Sequence, residues 1–267
     1  MLIFGGTKGI GQILAQHYKN TFKVSVTSRQ PDAEGMQQKV NVIKADVTRE
    51  KDVESAFDLH YSCWGKTPDV VINCAARQVP IGNTWEIPLK EFDETLKINL
   101  LGSFIVSKAA VKRMIPSGHG SIIMFSGGGS AYSRPHFNAY GSSKTGVVRL
   151  VEIMADELIT AGFQDITINA FAPGAVKTRM MNDILDAGPI AGKKELEKAA
   201  QVLKNGGTTD QEIISLMDFF MDHKINKGIS GRLIHVREDY HQLIKKYGKE
   251  ISGEIGKLRR IPLDQNS

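Results

Sequence analysis

Short apolar runs alternate along this chain with longer stretches in which apolar residues recur every three or four positions, the pattern of strands separated by amphipathic helices. The runs fall at residues 1–4, 23–28, 40–45, 69–73, 121–126, 166–171 and 232–236, with helices filling most of the intervals. Such alternation predicts βαβ units and a parallel sheet buried on both faces, an α/β architecture whose ligands lie beyond the carboxyl ends of the strands. A glycine turn after Phe4, Asn73, Ser126 and Pro173 all stand at such ends. The one long interruption runs from 179 to 209, where helical pieces are punctuated by Gly188-Pro189, Gly192 and Gly206-Gly207. No internal repeat or low-complexity tract is present.

Two local motifs carry chemistry. The run Met1-Leu-Ile-Phe4 leads into Gly5-Gly-Thr-Lys-Gly9-Ile-Gly11 and then into the helical pattern of Ile13, Leu14, His17 and Tyr18. Strand, glycine turn and helix in that order favour a pyrophosphate, because backbone amides at the helix start attract anions and glycines let a dinucleotide approach without a Cβ in the way. The second motif is Phe137-Asn-Ala-Tyr140-Gly-Ser-Ser-Lys144. A phenol and an amine four residues apart share one helical face, and a neighbouring ammonium brings a tyrosine closer to a working proton donor. Taken alone, that spacing also occurs by chance on exposed helices.

Composition narrows the class. At 267 residues and 41% hydrophobic, the chain suffices for one large core, and a single domain over 1–267 is expected. The formal charge of +5 is spread among acids rather than gathered in a stripe with interleaved aromatics, so no nucleic-acid partner is expected. There is no apolar run long enough to span a membrane and no signal-like start, which reads as a cytoplasmic protein without a membrane partner. Two cysteines, Cys63 and Cys74, argue against a disulfide framework, and Cys74 follows a predicted buried strand as a packed thiol. The seven histidines show no ligand spacing, so no metal is predicted.

Together these residues resemble the short-chain dehydrogenase/reductase family of the single-domain kind, over nearly the whole chain. Its glycine motif is similar to Gly5, Gly9 and Gly11, its adenine-contacting Asp to Asp46, and its Asn-Asn-Ala-Gly segment to Asn73-Cys-Ala-Ala76. Its active-site Asn resembles Asn99, its Tyr and Lys match Tyr140 and Lys144, and its Pro-Gly-x-x-x-Thr motif matches Pro173, Gly174 and Thr178. The resemblance implies a Rossmann fold with a doubly wound, seven-stranded parallel sheet of order 3-2-1-4-5-6-7 and helices on both faces. It further implies a substrate lid at about 179–209 and a cofactor site made by Gly5, Thr7, Lys8, Gly9, Ile10, Gly11, Ser28, Arg29, Asp46, Val47, Asn73, Ala75, Tyr140, Lys144, Pro173, Gly174, Val176 and Thr178.

Cofactor choice rests on the end of the second strand. An acidic residue there binds the ribose 2′-hydroxyl of NAD, whereas an arginine accommodates the 2′-phosphate of NADP. Ser28 and Arg29 stand at that end, with Lys8 as a second cation, so NADP(H) is favoured over NAD(H); a solvated Arg29 is the alternative, and Asp32 follows Pro31 in what reads as a loop.

The reaction implied is hydride transfer between nicotinamide and a small or medium polar carbonyl or alcohol compound, with Tyr140 as acid or base, Lys144 lowering its pKa and holding the ribose, and Thr178 holding the carboxamide. Asn99 carries a water towards Lys144 or merely kinks its helix. The family's serine thirteen residues before the tyrosine would fall on Gly127; the adjacent Ser126 is the candidate, reached through a glycine-rich loop, unless Ser130 or a main-chain amide replaces it.

Other readings stay open. The end of the last strand departs from the family's usual Asp-Gly-Gly, so a subgroup-specific extension is expected at about 237–267. Its Lys245, Lys246, Lys249, Lys257, Arg259 and Arg260 meet a phosphorylated substrate or are solvated charges. His136 and Phe137 line the substrate mouth or simply pack. Apolar residues on more than one face of the helix after Tyr140, among them Val147, Val151, Ile153 and Ile159, suit a homodimer or homotetramer. A 3-oxoacyl thioester reductase is the rival enzyme, and a non-catalytic NADP(H)-binding sensor or scaffold the rival from another class.

Overall fold

The computed structural model describes residues 1–30, 39–226, 228–247 and 255–259. Its strands are β1 (Leu2–Phe4), β2 (Val24–Ser28), β3 (Val40–Lys44), β4 (Val70–Asn73), β5 (Gly120–Phe125), β6 (Ile166–Ala172) and β7 (Leu233–His235). They form one seven-stranded sheet in the order β3-β2-β1-β4-β5-β6-β7. Every adjacent pair is parallel, as the alternation of runs requires. β5 stops at Phe125, so Ser126 opens the following loop instead of closing the strand.

The helices are α1 (Gly9–Tyr18), α2 (Glu50–Trp64), α3 (Leu89–Leu96), α4 (Gly102–Met114), α5 (Asn138–Thr160), α6 (Arg179–Ala187), α7 (Lys193–Asn205), α8 (Asp210–Met221), α9 (His223–Asn226) and α10 (Tyr240–Tyr247). Two cores explain why the strand runs are continuously apolar. Leu2, Phe4, Val71, Ile122 and Met124 pack with Phe57 of α2, Val106 of α4, and Val148 and Val151 of α5. The intervening Met1, Ile3, Val70, Ile72, Ile123 and Phe125 pack with Leu14 and Tyr18 of α1 and with Leu216, Phe219 and Phe220 of α8. Successive residues of a strand face opposite sides, so a strand covered on both faces must be apolar throughout. Among the described residues, no helix is long and apolar enough to cross a membrane.

A third cluster joins Phe137 and Tyr140 to Met181 and Ile184 of α6 and to Ala199 and Val202 of α7. The segment read as a lid therefore rests on Tyr140. It ends at a capping box, where the Thr209 hydroxyl accepts from the Glu212 amide and Glu212 accepts in turn from the Thr209 amide at 2.7 Å. Residues 255–259 return to the body of the molecule. The Leu258 amide donates to the buried Glu152 carboxylate of α5 at 2.6 Å, and the Leu233 amide donates to the Gly256 carbonyl at 2.8 Å.

Candidate active site

The glycine turn lies beneath a cleft of about 760 Å³ at the carboxyl ends of β1, β2 and β4. Gly5 has φ +73°, and a Cβ there would lie 2.8 Å from the Ala75 nitrogen; a Cβ on Gly11 would lie 2.4 Å from the Gly5 carbonyl oxygen. Only glycines allow this approach of helix, strand and neighbouring loop. No side chain caps the start of α1, which leaves its first amides available to an anion. Thr7, Lys8, Gly9, Ile10, Ser28, Arg29, Asp46, Val47, Ala75, Pro173 and Thr178 line the same cleft. These features fit a dinucleotide, with Arg29 exposed where β2 ends and Lys8 exposed in the glycine turn. Gly174 and Val176 border an adjoining cavity instead, and Asn73 is buried beneath the cleft, donating to the Ser103 hydroxyl at 3.1 Å and accepting from the Ala75 amide. Asp32 lies outside the described residues.

That adjoining cavity, of about 520 Å³, reaches from Gly127 and Gly128 to α6, α7 and the returning tail. Tyr140 borders both spaces. It lies in the first turn of α5, one helical turn before Lys144, and both side chains are buried. Lys144 faces only the dinucleotide cleft, and its ammonium donates to the Phe125 carbonyl at 2.7 Å. Burial pushes the Lys144 pKa down to about 8. Burial also pushes Tyr140 up to about 12; the charge that opposes this rise is the guanidinium of Arg134, not the ammonium of Lys144. The ammonium is 5.8 Å from the centre of the phenol ring.

Asn99 sits in a π-helical turn, Lys97–Leu101, between α3 and α4. Its side-chain amide accepts from the Arg77 nitrogen and donates to the Arg77 carbonyl, each at 2.8 Å, and donates to Ser143 at 2.9 Å. The wider turn lets one amide brace the segment after β4 against α5. Ser126 borders the dinucleotide cleft with Tyr140 and Lys144, and its buried hydroxyl has no hydrogen-bond partner among the described residues. The phenol hydroxyl itself rests on Gly127, where a Cβ would lie 2.2 Å away.

Cys74 is a packed thiol whose pKa burial pushes up, and Phe137 is fully buried, so it packs rather than lining a mouth. Lys257 and Arg259 are paired with Asp156 and Glu152 of α5. Lys245 is exposed, whereas the Lys246 side chain, Lys249 and Arg260 lie outside the described residues. Sequence reasoning missed Gln78 and Arg134. Arg134 donates to Glu195 at 2.6 Å and to Gln78 at 3.3 Å, while Gln78 donates to the Met180 carbonyl at 3.0 Å. The one available signal was an arginine in a polar loop just before Tyr140, and nothing in that spacing says where its side chain points.

A dinucleotide cleft at the switch point of a parallel sheet, opening beside a buried phenol and a separate cavity, defines an NAD(P)-dependent oxidoreductase that acts on carbonyl or alcohol groups. Residues 1–188 match the family described as short chain dehydrogenase, and the chain belongs to that family. It is similar to a chloroplastic NADPH-dependent aldehyde reductase-like protein of Arabidopsis thaliana, 30% identical over 68% of this chain and 74% of that protein. Among solved structures it resembles levodione reductase, at TM-score 0.75 and 25% identity over 88% and 94% of the two chains. It also resembles ElxO with NADP bound, at TM-score 0.73 and 27% identity over 88% and 95%.

Proposed function

We propose that this chain is an NADPH-preferring reductase of small or medium polar carbonyl compounds. The observation that carries the proposal is Tyr140 at the junction of the two spaces, with Lys144 on the dinucleotide side and a cavity of about 520 Å³ on the other. That volume suits a small or medium organic molecule. When bound, the nicotinamide supplies the hydride. The Tyr140 hydroxyl donates the proton to the carbonyl oxygen. Lys144 would hold the ribose, and Pro173 and Thr178 would orient the carboxamide. Asn99 keeps the Arg77 backbone and Ser143 in place beneath them. The unpartnered Ser126 hydroxyl is the available second donor to the substrate oxygen. Arg29 and Lys8 at the mouth of the cleft support a preference for the 2′-phosphate, as does the NADP-bound relative. Residues 179–209 act as the lid that excludes water, supported by their packing on Tyr140.

A homodimer or homotetramer built on α4 and α5 is part of the same reading. Phe104 of α4 and Ile153 and Ile159 of α5 are exposed at 42%, 50% and 54%, and Leu101, just before α4, at 43%, apolar surface that a second copy would cover.

The test follows NADPH and NADH oxidation in parallel against 3-oxoacyl thioesters, diketones and keto-sugar nucleotides. Turnover with NADPH at least tenfold above NADH on one carbonyl class supports the reading. Tight NADPH binding with no turnover on any class would favour a sensor.

A further inference from the structure

The three glycines 127–129 after β5 each receive a side chain. A Cβ on Gly127 would meet the Tyr140 hydroxyl at 2.2 Å; one on Gly128 would meet the Tyr132 hydroxyl at 3.2 Å and the Arg134 Nη1 at 3.8 Å; one on Gly129 would meet the Arg134 Cβ at 3.3 Å. The loop therefore seats the phenol and the guanidinium on adjacent residues. Arg134 borders the substrate cavity and not the dinucleotide cleft, Lys144 borders the cleft and not the cavity, and Tyr140 borders both. The cavity side of the phenol thus carries the Arg134 cation and the cleft side that of Lys144.

The guanidinium is held by three partners. Its side chain is only 11% exposed, it stacks 3.6 Å above the centre of the Phe137 ring, and it donates to Glu195 of α7 and to Gln78 after β4. Gln78 passes the connection to the Met180 carbonyl of α6. One planar fork therefore ties both helices over the cavity to the loop on which Tyr140 rests, a task that a point-charge lysine cannot perform. We infer that Arg134 is a positioning residue of this site, clasping α6 and α7 over the cavity and holding a positive charge on the substrate side of Tyr140. The inference rests on the proposed role of Tyr140. Its electrostatic part agrees with the direction in which Arg134 moves the phenol.

The charged and titratable groups that share the cavity with the phenol are Tyr132 and Arg134 on the loop before it, Glu195 and Lys198 on α7, and His235, Glu238 and Lys257; on the cleft side the nearer elements bring Lys144 of its own helix, Cys74 and Arg77 after β4, Lys177 just before α6, and Arg179 and Asp183 in it. The experiment measures the pH dependence of kcat/KM for oxidation of the alcohol product by NADP+, in which the phenol must give up its proton, together with amide hydrogen exchange of residues 179–205 in the NADP+ complex. Arg134→Met removes the cation and moves the rising limb to higher pH by half a unit or more. Glu195→Gln removes the carboxylate that neutralises it and moves the limb to lower pH. Arg134→Lys keeps the limb within about 0.3 unit but raises KM at least fivefold, because the charge stays and the fork is lost. Both Arg134→Met and Glu195→Gln accelerate lid exchange at least threefold. Limbs that shift in the same direction, or not at all, overturn the electrostatic assignment in an enzyme that otherwise works. Unchanged lid exchange in both variants overturns the clasp, whether or not the wild type turns over. A wild type that oxidises and reduces nothing sinks the reading of Tyr140 instead.

Discussion

At the scale of single residues, the site turns on the contact between the Tyr140 hydroxyl and Gly127. Gly127 does not have a positive φ, so its backbone accepts an alanine and only the space is wrong. Gly127→Ala therefore pushes the phenol from its seat while leaving the cleft intact. An ångström of misplacement at a reacting group costs roughly a hundredfold in rate. We expect kcat to fall about 100-fold with the NADPH dissociation constant changed less than threefold, read by steady-state kinetics and fluorescence titration. Unchanged kcat would mean that the phenol does not work from this position. That Tyr140 and Lys144 share one helix was legible from their spacing, because helical geometry puts positions four apart on one face, but singling them out took the glycine turn and the order of the other motifs as well. The serine question was not, because β5 ends one residue before Ser126 and the path of a glycine loop is set by what packs into it. Arg134 was invisible for the same reason: its direction is decided by the room at Gly128 and Gly129.

At the scale of elements, strand ends line the cleft and helices set their spacing. The glycine turn, β1 and α1 were readable together, because a strand, a turn without Cβ atoms and an amphipathic helix each leave a local mark and agree. The end of β2 is the most direct test of cofactor choice. Ser28 is occupied with its own turn, donating to the Gln30 carbonyl at 2.8 Å, which leaves Arg29 as the strand-end cation bordering the cleft. A charge-assisted contact to a phosphate contributes about 1.5–3 kcal/mol. Arg29→Glu should lower kcat/KM for NADPH about 100-fold while changing that for NADH less than fivefold. Equal loss with both cofactors would assign Arg29 a structural role. The tail was the least legible element. The contacts of 255–259 with Glu152 and β7 span more than a hundred positions in sequence or join segments with no shared pattern, so no local periodicity announces them.

At the scale of the whole molecule, the sheet order could be expected because right-handed crossovers and the resemblance leave few windings. The burial of particular polar groups could not. His60 is the clearest case: its ring is fully buried between α2 and the sheet, and its Nδ1 meets the Ser25 hydroxyl at 2.8 Å. Burial above all holds this imidazole down to about 3 from its ordinary 6.5. Below pH 6.5 the unfolded chain takes up a proton that the folded chain does not, so stability is lost as pH falls from 6.5 towards 3, by at most about 1.4 kcal/mol per pH unit from this group. Urea midpoints between pH 7 and 4 should therefore fall more steeply in the wild type than in His60→Asn, whose amide does not titrate. Parallel slopes would show that another group governs acid unfolding. The same large-scale organisation brings α6 and α7, the loop 126–134 and the cleft after β1, β2 and β4 together around a single phenol. Tyr140→Phe is the most direct test of that account, measured as carbonyl-dependent NADPH oxidation beside NADPH binding by fluorescence. The account predicts that turnover falls at least a thousandfold while binding stays within threefold; a variant that keeps more than a tenth of wild-type turnover would contradict it.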